Sequence, residues 1–598
     1  MSIRNSLPLR KTTQVLTVLF AASWFWQSPP ALAQTAPIQF TVAVPRAPAE
    51  MELFKLAPTR PPLDFLNEKL GMSKLPALEL EKKGYIARGV TGQEERDKVR
   101  AFVDPENGDA HFMPNFAELV RSREQVKEMA RERAQSIARS ALTDERFIPK
   151  DVTELRLAEP ITVMGGATEH SAEGKTPESR TEARAILTIV PAIRYAAGFP
   201  VYGRGSHALI SLANDGAIVG ALRRWRTAAR GERIRTSMGA QQVRASIERQ
   251  LRPLVAAKGT TATVDKIEVA YYDANAKALQ PIYYFEATVK PGAERTSSIR
   301  VAGYVPIGKT VEPIPDLAER PTGPTPTTPK QASAASPPTD RMSPDPADIS
   351  LGEYANQDWP HDGGYVSMSN SFYSGLTFLN SIFPGFTPPV VRTQWYVAYP
   401  WEVVGPSSRY FLNDVNVAYT VPHGDWLDNT TLSNYGDDWR VPNIGTGGNP
   451  GFGAATGGVL ATWVIMSCEV IPSMYDRQNE NGGSGNPYTA FDAWWPVFQG
   501  LHNVIGFRTI MFYPDDNLQF GFGLDASVGG DLNGAWFQEV AANESGVGTY
   551  ASQHLKGAPQ VHYDRASTMI DARDLGQSIY NVGPQSASST LWNFWMSN

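Results

Sequence analysis

The chain contains a single cysteine, Cys468, and a histidine, His423, lies 45 positions before it. A thiolate is a good nucleophile, and a nearby imidazole can stabilise it and can protonate the leaving group of an acyl-transfer reaction. Gly424 follows His423, and because glycine has no side chain, its backbone N–H can closely approach a developing oxyanion. These residue types favour nucleophilic catalysis by Cys468. A buried, inert cysteine that packs as a small apolar residue is the alternative.

His423 and Cys468 each lie just after a short apolar run that predicts a buried strand. Asn416–Pro422 precedes His423. Thr462–Met466 precedes Cys468, with Ser467 between them. In open α/β sheets, ligands bind outside the carboxyl ends of the strands, where loops and helix N-termini meet. If the two strands are neighbours in one parallel sheet, His423 and Cys468 face the same crevice.

The order and spacing of these segments resemble the caspase–gingipain–legumain superfamily of cysteine peptidases. That superfamily shows an apolar block followed by His-Gly and, further along the chain, a second apolar block followed by a small residue and Cys. Ser467–Met474 is also similar to the nucleophile region of legumains, and Phe498–Arg508 and Asn533–Phe537 resemble later elements of caspase-like domains. The resemblance covers Asp358–Asn543 and is closest to an uncharacterised bacterial family of secreted caspase-like proteins.

The resemblance implies a role for each residue of the two motifs. Cys468 is the expected nucleophile and His423 the histidine of the catalytic dyad. The N–H groups of Gly424 and Cys468 form the expected oxyanion hole. Asp425 and Glu469 are second candidates, either for orienting the dyad or for binding a basic substrate side chain. The implied activity is that of an exported cysteine endopeptidase, which hydrolyses proteins or peptides through an acyl-enzyme intermediate. A catalytically silent caspase-like fold that serves as a secreted binding or adhesion module is the alternative.

The chain divides by composition into four segments. Residues 1–33 have the basic, apolar and small-residue parts of a secretory signal peptide, so we expect a secreted or periplasmic protein after cleavage. Residues 312–350 are rich in proline and poor in large apolar side chains, which is typical of an extended linker. On either side of this linker lie an N-terminal region, residues 34–311, and a C-terminal region, residues 351–598.

The two regions have different predicted folds. In the C-terminal region, alternating strand and helix patterns predict an α/β domain with a mainly parallel sheet, and the family resemblance implies a three-layer α/β/α arrangement. In the N-terminal region, the patterns predict an α+β fold with helices over 116–142 and 239–257 and a hairpin that turns at 214–216. This region weakly resembles the PepSY-like modules of secreted peptidase precursors, which implies a pro-region or a binding module.

Composition and charge disfavour nucleic-acid binding, sites that need several cysteines, and a membrane-spanning helix. A formal net charge of −6 disfavours binding to nucleic acid, and 8 Lys and Arg against 22 Asp and Glu make the C-terminal region acidic. One cysteine excludes disulfides within the chain and cysteine-ligated zinc. No apolar run after the predicted signal peptide has the length of a membrane-spanning helix. The oligomeric state is left open.

The remaining residues of interest predict no metal centre and no cofactor. Asp515, Asp516 and Asn517 resemble part of a calcium loop but lack its regular alternation and terminal Glu, so calcium is the one cation considered. His502 lies just before an apolar run and is expected to be a structural histidine. His361 lies in a glycine-rich turn and is expected to be solvated.

Overall fold

The structure is a computed structural model. It describes residues 37–81, 84–88, 99–121, 127–170, 177–256, 258–290, 292, 298–319, 348–355, 363–382, 387–395, 403, 405–425, 428–430, 441, 444, 450–474, 476, 490–513, 516–543, 549–550 and 561–597. Pro37–Asn598 belongs to one compact unit. The predicted signal peptide and most of the predicted linker lie outside the described residues.

The fold is mixed α/β. The helices are α1 (Leu63–Met72), α2 (Phe116–Arg121), α3 (Arg131–Leu142), α4 (Ala240–Leu251), α5 (Gly363–Ile382), α6 (Ala490–Trp494), α7 (Asp516–Ser527) and α8 (Leu532–Asn543). The strands of the N-terminal region are β1 (Ile38–Phe40), β2 (Glu50–Ala57), β3 (Glu79–Glu81), β4 (Gly84–Arg88), β5 (Val99–Val103), β6 (Ala110–Phe112), β7 (Glu154–Leu157), β8 (Ile161–His170), β9 (Pro177–Ala196), β10 (Phe199–Tyr202), β11 (Ser206–Leu212), β12 (Ile218–Trp225), β13 (Thr227–Arg235), β14 (Thr261–Asp273), β15 (Ala278–Lys290) and β16 (Ile299–Pro306). The strands of the C-terminal region are β17 (Ile349–Ala355), β18 (Val390–Trp395), β19 (Val417–Val421), β20 (His423–Asp425), β21 (Asp428–Thr430), β22 (Thr462–Ile465), β23 (Asn503–Phe507), β24 (Phe512–Tyr513), β25 (Thr549–Tyr550), β26 (Val561–His562), β27 (Ala566–Asp571) and β28 (Thr590–Met596). None of the described helices combines the length and the hydropathy that a helix needs to cross a membrane.

A parallel array of five strands lies at the centre of the C-terminal region. The strands follow one another in the order β18, β17, β19, β22 and β23, and every neighbouring pair is parallel. In β19 and β22, Val417 lies opposite Thr462 and Thr420 lies opposite Ile465. Both strands are short and buried along their whole length, as expected where both faces of a parallel sheet are covered. The two strands that lead to the predicted site are therefore neighbours.

Apolar side chains cover both faces of this sheet. On one face, Tyr419 stacks on Phe372 of α5 with ring centroids 4.7 Å apart, and its hydroxyl donates to Gln519 of α7 at 2.8 Å. On the other face, Trp463 of β22 meets Trp494 of α6 edge-on, with ring centroids 6.1 Å apart. The two aromatic pairs belong to different apolar cores. Helices therefore pack on both sides of β19 and β22.

The N-terminal and C-terminal regions share one continuous sheet. Beyond β23 the strands become antiparallel, in the order β27, β28 and β8, and β28 pairs with β8 along seven residues. A second pairing joins β16 and β24, with Arg300 opposite Phe512. Phe116 of α2 packs on Phe537 of α8 and on Phe594 of β28, at centroid distances of 5.5 and 5.1 Å. We call this boundary between the two regions, formed by α2, β6, β8, β12 and β16 on one side and α7, α8, β24 and β28 on the other, the seam.

Two predicted elements of the N-terminal region are confirmed. β11 and β12 pair as antiparallel strands around the turn predicted at 214–216. Gly216 has a φ of 100° there, a conformation that favours glycine. The helix predicted over 239–257 is found as α4, which is a few residues shorter at its C-terminal end.

The single helix predicted over 116–142 is wrong. Residues 127–130 are not helical, and the segment contains two helices, α2 and α3. Phe116 of α2 lies in the core that crosses the seam, whereas Ala134 and Leu142 of α3 lie in a core formed within the N-terminal region. Because the two halves of the pattern bury their apolar faces against different partners, tertiary packing overrides the continuous helical periodicity.

Candidate active site at the ends of two parallel strands

The chain turns sharply after β22 and presents Cys468 at the carboxyl end of the sheet. The Met466 N–H donates to the Thr420 carbonyl at 2.8 Å, which extends the pairing with β19 by one residue. The Ser467 N–H then donates to the Ile465 carbonyl at 3.1 Å, and the strand ends. Cys468 is half-buried and packs against the core that also contains the apolar residues of α5 and α7. Its position is the one that a strand-end nucleophile needs.

Gly424 lies directly against the Ser467–Cys468 segment. A Cβ atom on Gly424 would lie 1.8 Å from Ser467 Oγ and 2.3 Å from the Cys468 carbonyl oxygen, far inside van der Waals contact. Only glycine fits here, because any side chain would separate the two loops. The fold therefore brings the His-Gly and Ser-Cys motifs into contact.

Ser467 fits the space that Gly424 leaves open. It is 1% exposed, and its Oγ has no hydrogen-bond partner among the described residues. A small residue before Cys468 is thus required by packing against Gly424, and its hydroxyl contributes no described hydrogen bond.

Pro422 separates β19 from the hairpin that carries His423. Proline has no N–H to donate to a sheet ladder, and the chain continues beyond it as the short antiparallel pair of β20 and β21. The backbone of His423 and Asp425 belongs to β20. Their side chains lie outside the described residues, so the roles predicted for the imidazole and for the carboxylate stay predictions.

Glu469 has a backbone conformation that residues other than glycine rarely adopt. Its φ is 54°, and the residue is 5% exposed. Its N–H donates to the Thr509 carbonyl at 3.2 Å, and the Ile471 N–H donates to the Phe507 carbonyl at 3.1 Å. The segment after β23 therefore holds the turn that positions Cys468. Local strain of this kind is common at functional sites.

A buried ion pair that matches no recognisable motif supports the same turn. Arg508 donates to both carboxylate oxygens of Asp476, from Nε at 2.6 Å and from Nη2 at 2.7 Å, and its Nη1 donates to the Met596 carbonyl at 3.2 Å. The Ser473 N–H also donates to Asp476 Oδ2, at 2.7 Å. The segment after Cys468 is thereby tied to β23 and to β28. In the sequence, the one sign of this pair is an arginine placed directly after an apolar strand.

His502, His361 and the candidate calcium segment show no sign of a functional site, or lie outside the described residues. His502 is buried, with its Nε2 2.9 Å from the Gly583 carbonyl oxygen and its Nδ1 3.4 Å from Gln577 Oε1, as expected of a structural histidine. α7 begins at Asp516, so a helix starts within the segment considered for calcium. His361 and Asp515 are not among the described residues.

Comparisons with known proteins add little to this geometry. No family model matches the chain, and no curated protein matches it. Among the solved structures that match is an uncharacterized protein from Eubacterium rectale, with 11% sequence identity and a TM-score of 0.27. The match covers 45% of this chain and 88% of that chain. At this TM-score the similarity supports no conclusion about fold or function.

Proposed function

We propose that this protein is an exported cysteine endopeptidase with a caspase-like C-terminal domain, in which Cys468 is the nucleophile and His423 the acid–base partner. One observation supports the proposal most directly. The two motifs follow neighbouring parallel strands, and Gly424 touches the Ser467–Cys468 segment. Two motifs that are well separated in the sequence therefore meet at the edge of the sheet where α/β folds bind their ligands.

The surrounding fold is compatible with a caspase-like three-layer domain. Five parallel strands form its centre, β27 adds an antiparallel strand beyond β23, and helices pack on both faces of the central pair. Both layers of apolar packing hold β19 and β22 rigidly in register. A rigid strand pair is a suitable scaffold for a nucleophile and a base that must be positioned to within a fraction of an ångström.

In the proposed reaction, the Cys468 thiolate attacks the carbonyl carbon of a peptide bond, and the carbonyl electron pair moves to oxygen. The N–H groups of Gly424 and Cys468 stabilise this oxyanion. When the carbonyl re-forms, the C–N bond breaks and the His423 imidazolium gives its proton to the departing amine. Water then attacks the thioester, His423 accepts its proton, and the acid product leaves as the thiolate is restored.

The structure favours a positioning role for Glu469 over a substrate-binding role. Glu469 is 5% exposed, and its backbone N–H is used to anchor the turn to Thr509. A carboxylate with so little exposed surface is poorly placed to reach a basic side chain of a substrate. Asp425 is therefore the preferred candidate for that contact.

The N-terminal region is better suited to a lasting role in the protein than to removal as a pro-region. Seven residue pairs join β8 to β28, and the aromatic packing of Phe116 crosses the same seam. Loss of this region would expose an edge strand and an apolar core. We propose that it serves as a binding or scaffolding module of an exported peptidase that acts on proteins or peptides.

Labelling of the thiol tests this function. A peptidyl chloromethyl ketone should modify Cys468 of the wild-type protein much faster than iodoacetamide does, because peptide binding presents the electrophile to the thiolate. His423→Ala should slow the peptide-directed reaction strongly, and Cys468→Ala should abolish it. Intact-mass spectrometry reads out both rates. Equal labelling rates for the wild type and His423→Ala, with no preference for the peptide reagent, would favour a catalytically silent binding module.

A further inference from the structure

A second cluster of polar side chains lies at the seam, far from Cys468 in the sequence. His111 comes from β6, Arg224 from β12, Asp525 from α7 and Glu539 from α8. All four residues are buried, the most exposed being Arg224 at 4%. One ligand atom from each of His111, Asp525 and Glu539 lies within 4.8 Å of the others. Two regions of the chain thus contribute to one small polar site.

The carboxylate of Glu539 is firmly held. Arg224 donates to both of its oxygens, from Nη1 to Oε2 at 2.9 Å and from Nη2 to Oε1. Asn543 Nδ2 also donates to Oε2, at 3.2 Å. A Cβ atom on Gly521 would lie 2.1 Å from Glu539 Oε2, so a glycine on α7 leaves the room that this carboxylate occupies. Oε2 thus accepts two hydrogen bonds, whereas Oε1 accepts from Arg224 Nη2 and has a second lone pair to offer.

The side chains of His111 and Asp525 have polar atoms that lack hydrogen-bond partners among the described residues. His111 Nδ1 lies 2.5 Å from Asp525 Oδ1, but the contact lacks the geometry of a hydrogen bond. Neither ring nitrogen of His111, nor Oδ2 of Asp525, has a hydrogen-bond partner among the described residues. Buried polar atoms without partners are rare in proteins, and a bound ion or water is a common explanation for them.

The charges of the cluster do not balance. The carboxylates of Asp525 and Glu539 face a single guanidinium, that of Arg224, in an enclosed site. An uncompensated carboxylate in a dry interior is costly, so the cluster needs either a proton or a cation.

We propose that His111, Asp525 and Glu539 bind one Zn²⁺ ion that links the N-terminal and C-terminal regions. A neutral imidazole and two carboxylates are a ligand set that zinc accepts, at metal–ligand distances of about 2.0–2.2 Å. Ligands at that distance lie roughly 3.4 Å apart, so His111 and Asp525 separate by about 1 Å when the ion enters. Arg224 stays on the outer side of Glu539 and orients it, as outer hydrogen-bond partners of metal ligands do.

The ion has a structural role in this proposal. The cluster is enclosed, and its ligands come from both sides of the seam, so the binding free energy of the metal adds to the stability of the folded chain. The inference does not depend on the proposed peptidase activity, because none of its ligands belongs to the Cys468 site.

Metal analysis of the full chain tests the proposal. We expect inductively coupled plasma mass spectrometry to find one equivalent of zinc in wild-type protein after incubation with Zn²⁺ and removal of excess metal. Addition of Co²⁺ to chelator-treated protein should give the visible absorption bands of a site with low coordination number. The melting temperature should rise when Zn²⁺ is added to the metal-free protein.

Two variants and one control locate the site. Asp525→Asn keeps the shape of the side chain and should weaken zinc binding by more than about 100-fold, since it removes a ligand rather than an outer partner. His111→Gln should do the same. His502→Gln, which changes a buried histidine with its own partners outside the cluster, should keep one equivalent of zinc.

Three results would overturn the proposal. Folded wild-type protein that binds neither Zn²⁺ nor Co²⁺, with an unchanged melting temperature, shows that a proton neutralises the cluster. Full zinc binding by Asp525→Asn places any metal elsewhere, and this variant decides the question even if His111→Gln fails to fold. Loss of zinc from His502→Gln, with retention by the cluster variants, also assigns the metal to another site.

Discussion

The Cys468 site and the cluster at the seam are assembled in opposite ways. The first consists of two short motifs, each continuous in sequence, that meet because two parallel strands end side by side. The second takes single residues from four elements of both regions and is enclosed between them. A site at a sheet edge can change its residues without changing the fold. An enclosed polar cluster cannot, because each of its charges depends on a partner for burial.

The largest effect is expected from breaking the ion pair in the cluster. Arg224→Met leaves Glu539 buried without its cation and should lower the free energy of unfolding by about 3–5 kcal/mol. The matched control is Arg249→Met, which removes an exposed ion pair with Asp316 and should cost less than about 1 kcal/mol. Urea denaturation measures both. Similar losses for the two variants would contradict the distinction between the enclosed cluster and an ordinary surface pair.

A smaller but site-specific effect is expected at Gly424. Gly424→Ala places a methyl group inside contact distance of Ser467 and Cys468, and overpacking of this kind costs about 1–3 kcal/mol. The displaced loop should also slow peptide-directed labelling of Cys468 by about 100-fold. Gly583→Ala is the control, since a Cβ there meets nothing within 4 Å. Normal labelling in Gly424→Ala would show that contact between the two motifs is not needed.

Removal of the Ser467 hydroxyl should have almost no effect on stability. Ser467→Ala deletes an Oγ that has no described hydrogen-bond partner, so we expect a change within about 1 kcal/mol. Ser206→Ala is the matched comparison, because the Ser206 Oγ donates to the buried Asp273 carboxylate at 2.7 Å and its loss should cost about 1.5–3 kcal/mol. Equal costs in thermal unfolding would mean that Ser467 makes a stabilising contact after all.

Cleavage of the linker should leave the two regions together. If a protease site is inserted between residues 320 and 347 and cut, the pairing of β8 with β28 and the seam packing persist without a covalent connection. The two fragments should co-elute on size exclusion in native buffer and separate only in denaturant. Separation in native buffer would show that the C-terminal region is an independent unit, held to its neighbour by the linker alone.

Much of the backbone arrangement of the candidate Cys468 site could be predicted because its information is local. The apolar runs of β19 and β22, and the polar residues directly after them, are visible as short patterns whose meaning depends on few other residues. The strained turn at Glu469 and the support from Arg508 and Asp476 could not be predicted, since they depend on where β23 and β28 lie. The helix predicted over 116–142 failed for the same reason, because its two halves pack against different cores.

By itself, the sequence determined which residues are able to do chemistry: one thiol, a histidine followed by glycine, and the strands that carry them. It also determined hairpin and helix positions wherever turn residues and periodicity agree. Only the tertiary structure decided that β19 and β22 are neighbours, that the sheet continues across the seam, and that His111 meets Asp525 and Glu539. The physical reason is that strand and turn preferences act over a few residues, whereas strand order and charge pairing arise from contacts between segments that lie tens to hundreds of residues apart in the chain.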